Sequence, residues 1–306
     1  MTIYTMHRFT LRQLDYLIAC VDCGSVAAAA ERLNVSQPTI SVAVAKLEDQ
    51  LGVQLLLRHQ ARGVTATASA DRILPSARSL LAHAVDLERT ARESGTEVAG
   101  NLRLGSFSTL APMVLPGLIE ALAVQHPAVR LTVSEGPQDV LLTGLLQGRL
   151  DLALLYDIGL PDGLRHVPLA ERAPYAALSP DHPLAAGPDV ALSDLAPEPL
   201  ILLEIEPSRG YFLSLFEAAG LTPHVAHSSP SIELVRGMVG RGLGYSLLVT
   251  RPDGDKTYDG QHLAVRPLRD SVALSRVVLA SLADLRPTRL MRSFETLAQD
   301  AMRNKD

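Results

Sequence analysis

The 306-residue chain holds only two cysteines, Cys20 and Cys23, too few for a disulfide framework, and a reducing, cytoplasmic compartment is the expected one. It has no run of about 18 uninterrupted apolar residues, so no segment is expected to span a membrane. The start, MTIYTMHRFTLRQLDYL, is polar and charged where a secretory signal needs an apolar stretch, and export is not expected. Missing too are G-x-S-x-G, H-E-x-x-H and G-x-x-x-x-G-K, and the nine histidines are scattered, none beside a second metal ligand at useful spacing. These absences leave no case for an enzyme, and no metal or cofactor is expected. Cys20-x-x-Cys23 lacks the second pair of a tetrahedral zinc site; both thiols read as small buried hydrophobes, with a redox role left open. Gly240-Arg241-Gly242-Leu243-Gly244 imitates a dinucleotide loop but follows a helix and enters a strand, the reverse of what phosphate cradling needs.

Nor is one sign of charge in large surplus. The net charge is −5, but its distribution is uneven: residues 1–95 carry ten Lys and Arg against nine Asp and Glu, and residues 96–306 eighteen against twenty-four. A mildly positive first third beside an acidic remainder permits polyanion binding without requiring it. With 47% apolar and 20% charged residues the chain has the means to build a full core, which excludes a disordered protein.

The first third reads as helices. Leu11, Leu14, Leu17, Ile18 and Val21 recur at helical spacing, and Gly24 closes that helix. Ser25 caps a second, whose alanines 27–30 let another helix approach closely. After Asn34-Val35, Ser36 caps a third helix with Pro38 in its first turn, where the missing N–H breaks no bond. Ile40, Val44, Leu47 and Leu51 form its expected buried stripe; Pro38, Ser41, Val42, Ala45 and Lys46 lie opposite, with Gln37 and Thr39 beside the N-terminus. A short-side-chain polar face suits a major groove. A plain helical hairpin has the same spacing. The next segment favours DNA: Val53–Leu57 reads as a strand, 58–63 as a turn with Arg58 and Arg62, and Val64–Thr67 as a returning strand, a wing able to reach phosphates or a minor groove.

Leu14, Ser25-Val26-x-x-Ala29-Ala30-x-x-Leu33, Val35-Ser36-Gln37-Pro38-Thr39-Ile40-Ser41, Leu47-Glu48, Leu51-Gly52, Leu55-Leu56 and Arg58 closely resemble the LysR-type transcriptional regulators. The resemblance implies a winged helix-turn-helix with its reading helix beginning near Ser36. The chain departs from that family at Val42, where arginine is common, and at Ala66 and Ala70, which replace a leucine and a glycine. These changes bear on which sequence is read. The expected DNA-binding residues are Ser25, Ser36, Gln37, Pro38, Thr39, Ser41, Val42, Lys46, Arg58 and Arg62: Ser36, Lys46, Arg58 and Arg62 toward phosphates, and Gln37, Pro38, Thr39, Ser41 and Val42 toward base edges, with Gln37 placed to read adenine.

From Ser69 onward Ile73, Ala77, Leu80, Ala84, Leu87 and Ala91 are spaced 4, 3, 4, 3, 4, a heptad seam expected to pair with a second copy, with Pro75 kinking the early part. Burying such a seam is worth several kcal/mol at about 25 cal/mol/Å²; packing on the chain's own body is the alternative. The resemblance implies a dimerising linker helix here, and twin readers would match an inverted-repeat site in double-stranded DNA.

Farther on, strands alternate with helices: strands at Leu102–Gly105, Val129–Val133, Leu150–Tyr156, Tyr175–Leu178, Leu200–Leu203, from Val225, at Gly244–Val249 and at Val272–Leu279, with a final amphipathic helix over 288–303. The expectation is a parallel, doubly wound sheet in two similar halves. The whole fold is thus an all-α winged helix-turn-helix domain (9–67), a linker helix (68–95), and an α/β bilobed, periplasmic-binding-protein-like effector domain (96–306). Gly148-x-Leu150-Asp151-Leu152-Ala153, His182-Pro183-Leu184-Ala185 and Gly242-Leu243-Gly244 resemble the effector-binding half of the same regulators. By that likeness lobe I covers about 99–168 and 271–306, lobe II about 169–270, with crossovers near Pro168 and Pro267. Ser106, Ser108 and Thr109 precede one helix, Glu204 and Arg209 flank the start of another, and Ser228, Ser229 and Ser231 precede a third. Each hydroxyl is also what a plain helix cap looks like; as a group they point to a cleft for a small organic acid or, through Glu204 beside Arg209, an amino-acid-like zwitterion. The resemblance further implies a tetramer built as a dimer of dimers and contact with the transcription machinery. A solute-binding or enzymatic protein on the bilobed fold is the alternative.

Overall fold

The computed structural model describes residues 9–59, 63–92 and 98–303; within its longest helix the side chains at 86 and 89–92 also lie outside the described set. The N-terminal unit begins with α1 (Leu11–Cys23), opened by a reciprocal cap in which the Gln13 amide N–H donates to Thr10 Oγ1 at 3.3 Å and the Thr10 amide to Gln13 Oε1 at 2.8 Å. Gly24, left-handed at φ 63°, ends it. Ser25 caps α2 (Val26–Arg32), where Ala29 and Ala30 are buried, and Ser36 caps α3 (Gln37–Leu51). Ile40, Val44 and Leu47 form the expected stripe. Leu51 does not join it: it is 38% exposed, because it is the last residue of the helix and the chain leaves the core through Gly52.

The wing is β1 (Leu56–His59) antiparallel to β2 (Gly63–Ala66), three residues later than the apolar run at Val53 suggests. The reason is local. The Glu48 carboxylate accepts from the amides of Leu55 at 2.7 Å and Leu56 at 3.0 Å, and Thr67 Oγ1 donates to the Gln54 carbonyl at 2.8 Å, so this stretch is bound elsewhere before pairing starts. Arg58 is therefore a strand residue opposite Val64, and Arg62 lies outside the described residues.

Next comes α4 (Ala68–Arg92), continuous through Pro75. Ala70, Leu74 and Ala77 are buried in the core of the N-terminal unit, with Ile73 and Leu81 packed against it. This corrects the seam at its N-terminal end, since Ile73 and Ala77 are spent on the chain's own body. Ala84 is half-buried, whereas Leu80 and Leu87 are 45% and 71% exposed. Ala91 lies in the helix, its side chain outside the described set.

The larger half continues with β3 (Gly100–Phe107), α5 (Ala111–Gln125), β4 (Val129–Gly136), α6 (Gln138–Leu146), β5 (Leu152–Tyr156) and β6 (Leu164–Arg172). There follow β7 (Tyr175–Leu178), a 3-10 turn over Pro183–Ala186, α7 (Leu192–Leu195), β8 (Pro199–Leu203), α8 (Ser208–Ala218), β9 (His224–Ser229), α9 (Ile232–Gly240), β10 (Ser246–Leu248) and β11 (Ala264–Pro267). The chain returns with β12 (Ser275–Leu282) and α10 (Arg289–Arg303).

The sheets are mixed rather than wholly parallel. In the five-stranded sheet, ordered β4-β3-β5-β12-β6, β3 is parallel to β4 and β5, while β12 is antiparallel to β5 and β6. Helical crossovers make the first three strands parallel; β12 arrives from the second lobe without one, so it enters reversed. The second lobe pairs β8 with β9 in parallel and β7 with β10 and β11 antiparallel. Pro168 is not a crossover: it lies inside β6 opposite Val278, and the chain passes between lobes at 173–174.

Candidate nucleic-acid interface and effector cleft

On α3, Gln37, Pro38, Thr39, Val42, Ala45 and Lys46 are exposed and Ser41 half-buried, with Val42 68% open. The amphipathic spacing that buries Ile40 and Val44 turns these residues outward. Ser36 Oγ accepts from the Thr39 amide at 3.3 Å and lies 2.7 Å from Thr39 Oγ1, so both hydroxyls are already occupied in fixing the helix start. Ser25 is a cap, accepting from the Ala28 amide at 3.4 Å. Arg58 projects from β1 and is exposed. The wing's root is fixed, since the Val64 amide donates to Gly24 O at 2.8 Å and a Cβ at Gly63 would collide with that carbonyl. Wing and reading helix thus form one rigid surface, with Lys46 and Arg58 as exposed cations.

Cys20 is buried in the same unit. Burial is the main reason its thiol is pushed up to about 11, with Cys23 adding to the shift. It is a poor nucleophile at neutral pH. Among the described residues no group of His, Cys, Asp and Glu is placed to hold a metal ion, and no helix is long and apolar enough to cross a membrane.

In the larger half the predicted hydroxyls divide into two groups. At the ends of β3 and β5, Ser106 is fully buried and its Oγ lies 3.4 Å from the Phe107 carbonyl. Thr109 Oγ1 lies 3.3 Å from the Tyr156 hydroxyl, which lies 2.5 Å from Thr250 Oγ1; the Tyr175 hydroxyl donates to the Thr250 carbonyl at 3.0 Å. Phe107 meets Tyr156 edge-on at 5.5 Å. Burial drives the Tyr156 phenol upward and that of Tyr175 to about 12, so both stay protonated donors at neutral pH. None of the hydroxyls expected to cap α5 does so. Its cap position is Leu110 with no side-chain bond, and Ser108 is half-buried in the preceding turn. The first turn of α5 is closed from within: the amides of Met113 and Val114 donate to the Leu110 carbonyl at 3.1 and 2.9 Å, and Pro112 has no N–H to offer. Beside Thr250 opens a cavity of about 580 Å³ lined by Leu110, Met113, Arg172, Thr250, Arg251 and Met302.

In the second group the Glu204 amide donates to the Ser229 carbonyl at 2.8 Å, and Arg209 Nε donates to Glu204 Oε1 at 2.8 Å. Glu204 and Arg209 are therefore spent on one another across the short β8–α8 turn, which corrects their reading as a pair of free charges awaiting a zwitterion. Ser229 is buried and accepts from the Ser231 amide at 3.1 Å; Ser228 is exposed on β9, and of the three serines only Ser231 caps α9. Among the described residues no hydrogen bond joins the two groups. Tyr156, Tyr175 and Thr250 were not picked out from the sequence. A tyrosine ending a fully apolar strand was the available sign, because a buried phenol needs a partner for its hydroxyl.

Comparison with known proteins follows the same division. Residues 11–71 match the model of a bacterial regulatory helix-turn-helix protein of the lysR family, and residues 95–303 match that of the LysR substrate binding domain. The hydrogen peroxide-inducible genes activator of Pectobacterium carotovorum subsp. carotovorum is 34% identical over 239 residues, 78% of this chain and 79% of that protein. The crystal structure of HinK, a LysR family transcriptional regulator from Pseudomonas aeruginosa, is 42% identical, with TM-score 0.66 over 96% of this chain and 99% of that one. A full-length OxyR from the same organism, carrying a cysteine-to-aspartate substitution, is 31% identical, with TM-score 0.77 over 96% and 98%.

Proposed function

The chain belongs to the LysR family of transcriptional regulators, and from that premise we propose that it reads an inverted-repeat duplex with paired copies of α3 and answers to a small organic acid. The observation that carries the DNA reading is the rigid pairing of an outward α3 face with a wing fixed at Gly24. Gln37, Pro38, Thr39, Ser41 and Val42 meet base edges; Lys46, Arg58 and Arg62 meet phosphates, while Ser25 and Ser36 act mainly by holding helix starts. Val42 in place of a long cation gives an apolar contact suited to a thymine methyl.

Several relatives are named as activators of hydrogen peroxide-inducible genes. This chain has no cysteine after Cys23, so its effector half holds no thiol for peroxide to oxidise. A reversibly bound acid fits better. Its carboxylate would enter the cavity beside Thr250, to which Thr109 is linked through the Tyr156 hydroxyl, with the side chains of Leu110 and Met113 beside its apolar part. The assembly is a tetramer, a dimer of dimers, joined in part along the exposed stretch of α4, in the cytoplasm and in contact with the transcription machinery. Selecting random duplexes on the purified protein, with and without a panel of small acids, tests the reading. Enriched inverted repeats whose affinity falls steeply with salt and shifts with one acid are expected. Absence of any enrichment at low ionic strength overturns it, and a Thr250→Ala protein with an undiminished acid response removes the proposed cleft.

A further inference from the structure

Resting on the regulator reading, we infer that the α6–β5 turn is a latch: it seats the effector half on the linker helix through Gly148 and makes α6 the rigid link from the cleft to the DNA reader. Gly148 is left-handed at φ +64°, and a Cβ there would stand 2.7 Å from Pro75 Cα and 3.2 Å from Arg78 Cδ. Glycine is thus required twice, by conformation and by a close approach to the α4 backbone. The surface it meets is itself fixed. Arg78 is only 8% exposed in its side chain, and its guanidinium pairs with Asp22 of α1 at 2.5 Å, which ties the contact point on α4 to the helix-turn-helix.

The turn is equally constrained from its own side. The amides of Arg149 and Leu150 both donate to the Gly144 carbonyl, at 2.8 and 3.1 Å, and Asp151 holds Arg103 of β3 through both carboxylate oxygens. A Cβ at Gly144 or Gly105 would press on Leu150 Cδ1 at 2.9 or 2.7 Å, so α6 lies on the sheet with no slack. At its other end Gln138 is buried; its Nε2 donates to the Ile158 carbonyl at 2.8 Å and its Oε1 accepts from the Tyr156 amide at 3.2 Å. Tyr156 is the residue whose hydroxyl meets Thr109 and Thr250. The nine residues of α6 therefore run from the C-terminal end of β5 back to its N-terminal end, over about 13 Å. Beside the latch the two units part around a cavity of about 670 Å³, lined by Asp15, Ile18 and Leu81 on one side and Asn101, Arg103 and Arg130 on the other. Farther along α4, Ser79 and Ala82 face Leu282, Leu285 and Met291 across a narrower gap, so the Gly148–Pro75 contact is a tight point within a looser seam. A shift at Tyr156 then reaches α4 through a rod instead of dissipating in lobe I, and by linkage the state of the reader biases the cleft in return.

The test compares Gly148→Ala with Gly159→Ala in the full chain. Gly159 has the same φ, +64°, but nothing lies within 4 Å of where its Cβ would be, so it carries the backbone cost alone. Spin labels on cysteines introduced at the exposed positions Asp49 and Glu120 report the separation of the two units, with Cys23 changed to serine, Cys20 left in its core, and labelled chains diluted into unlabelled ones. Parent and Gly159→Ala are expected to give one shared distance distribution, and Gly148→Ala an added longer population. Gly148→Asn, which tolerates the left-handed region, gives the same readout should the alanine variant lose its fold by circular dichroism. Superimposable distributions for the folded Gly148 variant and the parent, or an equal shift in Gly159→Ala, overturn the latch. Neither DNA nor effector is present in this measurement, so its failure leaves the regulator reading standing; that reading fails on duplex binding instead.

Discussion

The two ends of α4 carry one pattern of apolar spacing and put it to different uses. Toward the N-terminus Ala70, Leu74 and Ala77 close the core of the DNA-binding unit, while Leu80 and Leu87 farther on face outward. A heptad pattern therefore reports only that a stripe will be covered; the neighbouring elements decide by what. Here α1 covers the first turns, and the later ones extend beyond the reach of the helix-turn-helix, leaving Leu80 and Leu87 exposed for the pairing of copies proposed above.

Substitutions can break or sharpen this contrast. Leu74→Ala should produce the largest effect, a loss of about 2–5 kcal/mol in the stability of the DNA-binding unit, read by denaturant titration. Leu80→Glu combined with Leu87→Glu should leave both units folded and raise the dissociation constant between copies about tenfold or more, seen by sedimentation velocity. An unchanged oligomer would mean that the outer stripe is covered by something else. Lys46→Ala should weaken duplex binding evenly across sequences and lower the salt slope by about 1 with no loss of stability, separating loss of contact from loss of fold. Leu87→Ala should change folding stability by no more than about 0.5 kcal/mol, against the large cost at Leu74.

The N-terminal unit was legible because its signals are local: Ser25 and Ser36 at helix starts, Gly24 at a helix end, and alanines where helices touch. The wing was misplaced by three residues because Glu48, seven positions before Leu55, takes the amides that an isolated strand would leave free. In the larger half the strands of the helical crossovers were visible as apolar runs, whereas β6 and β11 were not. Pro168 interrupts β6, and both strands depend on partners remote in sequence: β6 on β12, and β11 on β7. The cleft residues were half legible. Hydroxyls before helices mark the right edge of the sheet, but which of them cap, which pair and which stay free is decided by Tyr156, Thr250 and the Glu204–Arg209 pair, contacts that no spacing rule reveals.

The position of β12 has a consequence for synthesis. It lies between β5 and β6, so β6 has no neighbour in its sheet until the ribosome has made residues 275–282. The reader emerges first with everything its core needs, whereas lobe I waits with an unfinished edge while the whole of lobe II is translated. During that interval the nascent chain offers an open strand to its surroundings, and a holding chaperone would find its footing there.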